Sequence, residues 1–220
     1  MPRKGALITT NRGPEPAALH LLPTLWFRNT WAWGGSHDNA AQRPVISQAG
    51  AAMLLAEHLS LHAYALVAEG RPAFLFTEND TNTERLFGVP NATPYVKDGI
   101  NAAVVEGRTD AVNPAKVGTK AAAHYQFAIG AGETVTLRLR LAHYHHPANP
   151  GAGSPPTPNT PATAPAFTDF DTVFAQRIAE ANAFYAALQP PTLSADERMI
   201  QRQAFAGMLW SKQFYHYDVD

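Results

Sequence analysis

Cysteine is absent from all 220 residues, which excludes disulfide cross-links, thiolate chemistry and cysteine-ligated metal together. A charge excess is absent too: 17 Lys and Arg against 18 Asp and Glu leave a net charge of -1, so nothing calls for a nucleic acid or an anionic membrane as partner. No apolar run approaches the length that spans a bilayer. Met1-Pro-Arg-Lys-Gly5 carries positive charge with no apolar stretch behind it, so it does not read as a secretory signal, and a cytoplasmic location is expected. What remains, 45% hydrophobic and 16% charged residues, is the composition of a globular protein with one sizeable core or somewhat more.

Against these absences stands one dense aromatic stretch, His20 to Gly35, which holds three of the four tryptophans. Read as an extended strand from Thr24, it places Leu25, Phe27, Asn29, Trp31 and Trp33 on one side and Thr24, Trp26, Arg28 and Thr30 on the other. Apolar bulk faces both ways, so the strand needs cover on both faces. Two readings of Trp26, Trp31 and Trp33 stay open: anchors of a core or domain interface, or one ring exposed as a stacking platform for a sugar.

Around that stretch the pattern is mainly β. Residues 5 to 22 read as a hairpin turning at Asn11-Arg-Gly-Pro14, and a first strand so close to Met1 suggests a missing preceding partner. Met53 to Glu57, Leu59 to Val67 and Ala73 to Phe76 read as strands, the last two separated by Glu69-Gly-Arg-Pro72. Ala123 to Ile129 and Val135 to Leu141 alternate apolar and polar residues about Gly130-Ala-Gly-Glu133, the pattern of an antiparallel hairpin lying on a core.

The polar run Thr77 to Thr83 lacks the alternate ligands, the glycine and the terminal bidentate acid of a calcium loop, and reads instead as a hydrogen-bonded turn. Residues 84 to 120 read as a long irregular segment. Lys120 at its end reads as an ordinary solvated lysine. His143, His145 and His146 have the residue type of a zinc site, but they open a stretch, Pro147 to Pro165, with seven prolines. Such a stretch builds no ordered shell around a metal, so a solvated cluster is the reading preferred. No metal and no cofactor is expected.

From Phe167 the period changes to helical. Phe170, Val173, Phe174, Ile178, Ala181, Phe184, Tyr185 and Leu188 recur on one face up to Gln189-Pro-Pro191, with Thr168 and Asp171 spaced as a capping box. A second helix opens at Ser194-Ala-Asp-Glu197, also a capping box, and presents Ile200, Ala204, Phe205, Met208 and Leu209 along one side. Its apolar side needs a partner, and none follows.

Several stretches together resemble a known family. Asn11-Arg-Gly-Pro14, Leu22-Pro-Thr-Leu-Trp-Phe-Arg-Asn-Thr-Trp31, Phe76-Thr-Glu-Asn-Asp-Thr-Asn82, Arg85-Leu-Phe-Gly88, Gly118-Thr-Lys-Ala-Ala-Ala123 and Arg202 to Tyr215 look like the amino-terminal part of bacterial glycoside hydrolase family 63 proteins, relatives of processing α-glucosidase and mannosylglycerate hydrolase. The resemblance covers most of residues 6 to 220; the proline-rich stretch departs from it as an insertion. It implies a partial antiparallel β-sandwich over 1–145, a loop over 146–166, a linker helix over 167–191, and over 192–220 the truncated start of an (α/α)6 catalytic barrel.

The activity the resemblance implies is hydrolysis of O-glycosidic bonds with inversion. That chemistry needs one carboxyl group to protonate the leaving oxygen and another to activate water, roughly 6.5 to 9.5 Å apart. In the family both lie further along the barrel, so no catalytic residue is assigned in this chain. Trp210, Lys212, Gln213, Tyr215, Tyr217 and Asp218 are the candidate sugar contacts: rings stack on the apolar faces of pyranoses and the polar groups bind hydroxyls. Their alternative is structural, with Trp210 packing in a helical shell and Asp218 capping a turn. The expected partners are a carbohydrate substrate and the remainder of the barrel. The competing class is a non-catalytic β-sandwich that binds carbohydrate or a protein.

Overall fold

The chain is described here from a computed structural model, which covers residues 3–33, 43–144 and 167–211. It divides into two units, Met1–Ala166 and Phe167–Asp220.

The first unit is built of antiparallel sheets. Its strands are β1 (Arg3–Thr10), β2 (Ala17–Leu21), β3 (Thr24–Trp26), β4 (Val45–Gly50), β5 (Met53–His58), β6 (His62–Ala68), β7 (Ala73–Thr77), β8 (Val117–Gly118), β9 (Lys120–Ile129) and β10 (Thr134–His143). One sheet has six strands in the order β1-β10-β6-β5-β4-β8. In the other, β2 and β3 run along β9 in one register, from Ala17 opposite Ile129 to Trp26 opposite Lys120. β7 also pairs with β9, from Ala73 opposite His124 to Thr77 opposite Lys120.

The two sheets share one core. Ile46, Leu54, Ala56, Leu66 and Ala68 of the larger sheet meet Phe74, Phe76, Ala121 and Ala123 of the smaller, with Leu25, Phe27, Tyr125, Leu139 and Leu141 packed around them. The alternation of β5 and β6 puts these leucines and alanines on the shared side. Met53, Leu55, Ala65 and Val67, on the opposite side of the same strands, are also buried.

Neither expected hairpin is one. β1 pairs with β10 and β2 with β9, so the chain crosses between sheets at residues 11–16 and again at 130–133. These are two arches laid side by side. Asn11 joins them: its N–H donates to Glu133 O at 2.9 Å, its carbonyl accepts from Gly132 N at 2.9 Å, and its Nδ2 donates to Ile129 O at 2.9 Å and Glu15 O at 2.8 Å. An apolar face tells each strand to lie on a core, but it is the same signal whether the turn continues one sheet or steps to the facing one.

Other expectations are corrected as well. The aromatic strand is extended only over Thr24–Trp26, and Trp31–Trp33 form a 3-10 turn. The long segment 84–120 holds α1 (Thr83–Phe87), α2 (Gly99–Val105), a 3-10 turn at Thr109–Ala111 and strand β8. The run 77–83, expected as a hydrogen-bonded turn, has Thr77 in β7 and Thr83 in α1, with an irregular connection over 78–82 in which Asn82 caps α1 by accepting from Arg85 N at 3.1 Å.

The second unit contains α3 (Phe170–Leu188) and α4 (Ala195–Ser211). The Thr168 and Asp171 capping box does not form; Asp169 is the N-cap and makes no side-chain cap bond. The Ser194 box does: Ser194 N donates to Glu197 Oε2 at 2.8 Å and Glu197 N to Ser194 Oγ at 3.3 Å. The Ser194 N–H, and with it the Ser194 hydroxyl donating to the same Oε2 at 2.8 Å, hold the Glu197 carboxyl below its ordinary value. No helix among the described residues is long and apolar enough to cross a membrane.

Candidate functional site

Strand β9 fixes where the conspicuous motifs meet. Because Lys120 lies opposite both Trp26 and Thr77, the chain leaving β3, the chain leaving β7 and the chain entering β9 come together at one end of the small sheet. Asp80 is the centre of the polar cluster they form. Its Oδ1 accepts from Asn29 Nδ2 at 2.8 Å and from Trp31 Nε1 at 2.8 Å, and its Oδ2 takes the Arg43 guanidinium at 2.6 Å. Arg43 also lies over the Trp31 ring at 4.9 Å and within 3.7 Å of Glu78.

Thr119, buried at the point where the chain passes from β8 in one sheet to β9 in the other, extends the cluster. Its Oγ1 accepts from Asn79 N and donates to Glu78 Oε2, both at 2.7 Å. Asn79 Nδ2 donates to Phe27 O at 2.9 Å. Beyond it, Asn82 and Arg85 both bond to Asp98. Glu78 and Asp80 are thus engaged by neighbouring side chains, and the cluster acts as a clamp on the loop ends.

Lys120 departs from the solvated lysine expected. It is half-buried, its Nζ donates to Lys97 O at 2.8 Å, and burial, with Lys97 adding, lowers its pKa although Asp98 opposes the shift.

Of the six candidate sugar contacts, the structure describes Trp210; Lys212, Gln213, Tyr215, Tyr217 and Asp218 lie outside the described residues. Trp210 stands near the end of α4 with 86% of its surface exposed. It borders a groove of about 710 Å³ between α3 and α4, together with Phe184, Tyr185, Arg177 and Arg202. Arg202 lies over the Tyr185 ring at 4.8 Å and donates to Asn182 Oδ1 at 2.6 Å. His145 and His146 are likewise outside the described residues, and among the described ones no three acidic or histidine side chains cluster as a metal site.

A second cavity, about 470 Å³, opens in the sandwich unit between β3 and the β5, β6 and β10 strands. Leu25, Phe27, Ala56 and Leu141 line it from the core side, and Trp26, His62, Tyr64 and His143 complete it. Tyr64 and His143 are cross-strand partners. Their rings lie 4.1 Å apart, with Tyr64 Oη and His143 Nε2 at 2.8 Å. The sequence flagged Trp26 as a ring facing away from Leu25 and Phe27; it carried no signal for Tyr64 or His62, which only the register brings to the same place.

Comparison with known proteins places the chain beside a much longer one. No protein-family profile matches it, and no solved structure does. Over 94% of its length it is 34% identical to the uncharacterized protein YMR196W of Saccharomyces cerevisiae, and it spans about a fifth of that protein, 20% of its length.

Proposed function

We propose that this chain is a portion of a glycoside hydrolase acting on α-glucosidic or related O-glycosidic bonds by the inverting two-carboxylate route, with both catalytic carboxyl groups outside these 220 residues. The observation that carries the reading is the convergence of separate motif segments. Asn29 and Trp31, Glu78 to Asn82, and Thr119 with Lys120 belong to three of the stretches that resemble family 63 proteins, and they interlock at one end of the small sheet. Segments that resemble a family separately and then brace one another support a resemblance of whole domains.

In this reading α3 is the linker helix and α4 the first helix of an (α/α)6 barrel. The exposed Met199, Ile200, Met208, Leu209 and Trp210 of α4 fit a helix whose neighbours are further barrel helices. Trp210, Lys212, Gln213, Tyr215, Tyr217 and Asp218 are then the candidate sugar contacts.

The test compares this chain with a protein extended through the following several hundred residues, on aryl α-glucosides. The extended protein should release the β-anomer first, seen by proton NMR, while the 220 residues alone should release nothing. Asp218→Ala in the extended protein should lower kcat/KM by about tenfold or more with its melting temperature held. Turnover by the short chain, or none by the extended one on any aryl glycoside, would reject the reading. In that case the non-catalytic sandwich becomes the reading to pursue.

A further inference from the structure

We propose that the cavity between β3 and the β5, β6 and β10 strands is a non-catalytic binding subsite for a neutral pyranose. Its volume of about 470 Å³ falls within the range of small-molecule sites, roughly 300 to 1,000 Å³.

The lining decides the chemistry. It comprises Leu25, Trp26, Phe27, Ala56, Leu61, His62, Tyr64, Leu141 and His143. There is no Asp, Glu, Lys or Arg among these residues, so an ionic ligand would be desolvated without a fixed counter-charge. A wholly apolar ligand fits no better, because it would cover the His62 imidazole and the Tyr64 hydroxyl, which keeps further hydrogen-bonding capacity beside its bond to His143, without matching them. A pyranose has both parts: a face of C–H groups for an aromatic ring, and hydroxyls at the rim for Tyr64 and His62.

Trp26 supplies the ring. Its neighbours Leu25 and Phe27 pack against the core, whereas Trp26 leaves 55% of its surface exposed. An indole at the edge of a cleft, unused by the core, gains most from a flat apolar ligand face.

The site is also stiff. Tyr64 and His143 are held in register across β6 and β10 and bonded to each other, so little side-chain freedom remains to be lost on binding. His62 stands in the left-handed backbone region, with φ 61°.

The proposal does not rest on the hydrolase reading: a module without any hydrolytic activity would bind in the same way, and failure here leaves that reading standing. The test is calorimetric titration of the 220-residue chain with methyl α-glucoside, maltose, cellobiose and α-mannobiose, and with glucose 6-phosphate as the charged comparison. At least one neutral sugar should bind with a millimolar or lower Kd and more tightly than the phosphate. Trp26→Ala should weaken it by about tenfold or more, Tyr64→Phe by a smaller factor, and Trp26→Tyr should keep much of it. Val105→Ala, on the exposed side of α2, should change nothing. Should Trp26→Ala fail to fold, the ranking of wild type, Trp26→Tyr and Tyr64→Phe carries the test. Absence of saturable binding by every neutral sugar, or a folded Trp26→Ala that binds as the wild type does, overturns the proposal.

Discussion

The indole Nε1 of Trp31 donates to Oδ1 of Asp80 at 2.8 Å, across 49 positions of sequence. That one carboxylate also holds Asn29 and Arg43, so it ties the end of β3 to the end of β7. Replacing it leaves the indole N–H without its acceptor in a half-buried place and removes one of the two acceptors of Asn29 Nδ2, which also donates to Asn79 O at 3.2 Å. Asp80→Ala should cost about 2 to 3 kcal/mol, read as a shift of the urea midpoint with an unchanged slope. Asp80→Asn should cost less, because one acceptor oxygen remains. A midpoint within error of the wild type for Asp80→Ala would show that the cluster is not a clamp.

At Gly118 the larger sheet approaches strand β7 of the smaller one closely. A Cβ there would collide with the carbonyl oxygen of Thr77, a backbone atom that no side-chain rotation moves. Gly118→Ala should therefore destabilise the fold by roughly 3 kcal/mol, toward the upper end of overpacking costs. Gly5→Ala, with open space at its Cβ, is the comparison. Equal melting temperatures for the two would refute the contact.

Thr77 itself is fully buried, and its hydroxyl has no hydrogen-bond partner among the described residues. Thr77→Val keeps the branched shape and removes the unpaired group. It should raise stability by about 1 kcal/mol, whereas Thr77→Ser, which keeps the hydroxyl and opens a void, should lower it. A destabilised valine variant would mean that the hydroxyl has a partner.

Burial, with Glu69 adding, raises the Tyr125 phenol from 10.0 to about 12, and its hydroxyl donates to Glu69 O at 2.7 Å. The folded pKa lies above the unfolded one, so the contribution to stability is complete below the unfolded value of 10.0 and is lost as pH rises from there toward about 12. Ultraviolet titration of the tyrosines should show one late-ionising ring that disappears in Tyr125→Phe. That variant should also lose about 1 kcal/mol at neutral pH. A titration unchanged by the substitution would contradict the assignment.

His124 shifts the other way. Burial, with His20 adding, lowers its pKa from 6.5, the two rings lying 4.9 Å apart. The unfolded chain then takes up this proton before the folded one does. Stability should fall as pH drops below the ordinary value of 6.5 and level off once pH is below the lowered folded value. Melting curves from about pH 7.5 to about pH 5.5 should fall more steeply for the wild type than for His124→Gln. Parallel curves would remove His124 as the cause.

How much of this was legible in the sequence varies element by element. The strands read at 53–57, 59–67, 73–76, 123–129 and 135–141 are present with shifted ends, as 53–58, 62–68, 73–77, 120–129 and 134–143, and the Ser194 to Glu197 cap was readable because four adjacent residues carry it. Leu25 and Phe27 were correctly paired on one side of their strand. The polar clamp was visible only as motifs: nothing in Trp26 to Trp31 or in Thr77 to Asn82 says that each binds the other. The cleft was less visible still, since Trp26, His62, Tyr64 and His143 come from three strands and share no spacing.

The sequence by itself determined that β5, β6, β7, β9 and β10 are extended and that α3 and α4 are helical, because those properties depend on neighbours two to four positions away; it did not reveal β4, β8, α1 or α2. Tertiary structure alone decided that β1 and β2 belong to different sheets, as do β9 and β10, and that Lys120 faces both Trp26 and Thr77. A turn of given composition permits either a hairpin or an arch. The choice is made by which distant strands complete the hydrogen-bonding edges and which distant side chains fill the space between the sheets.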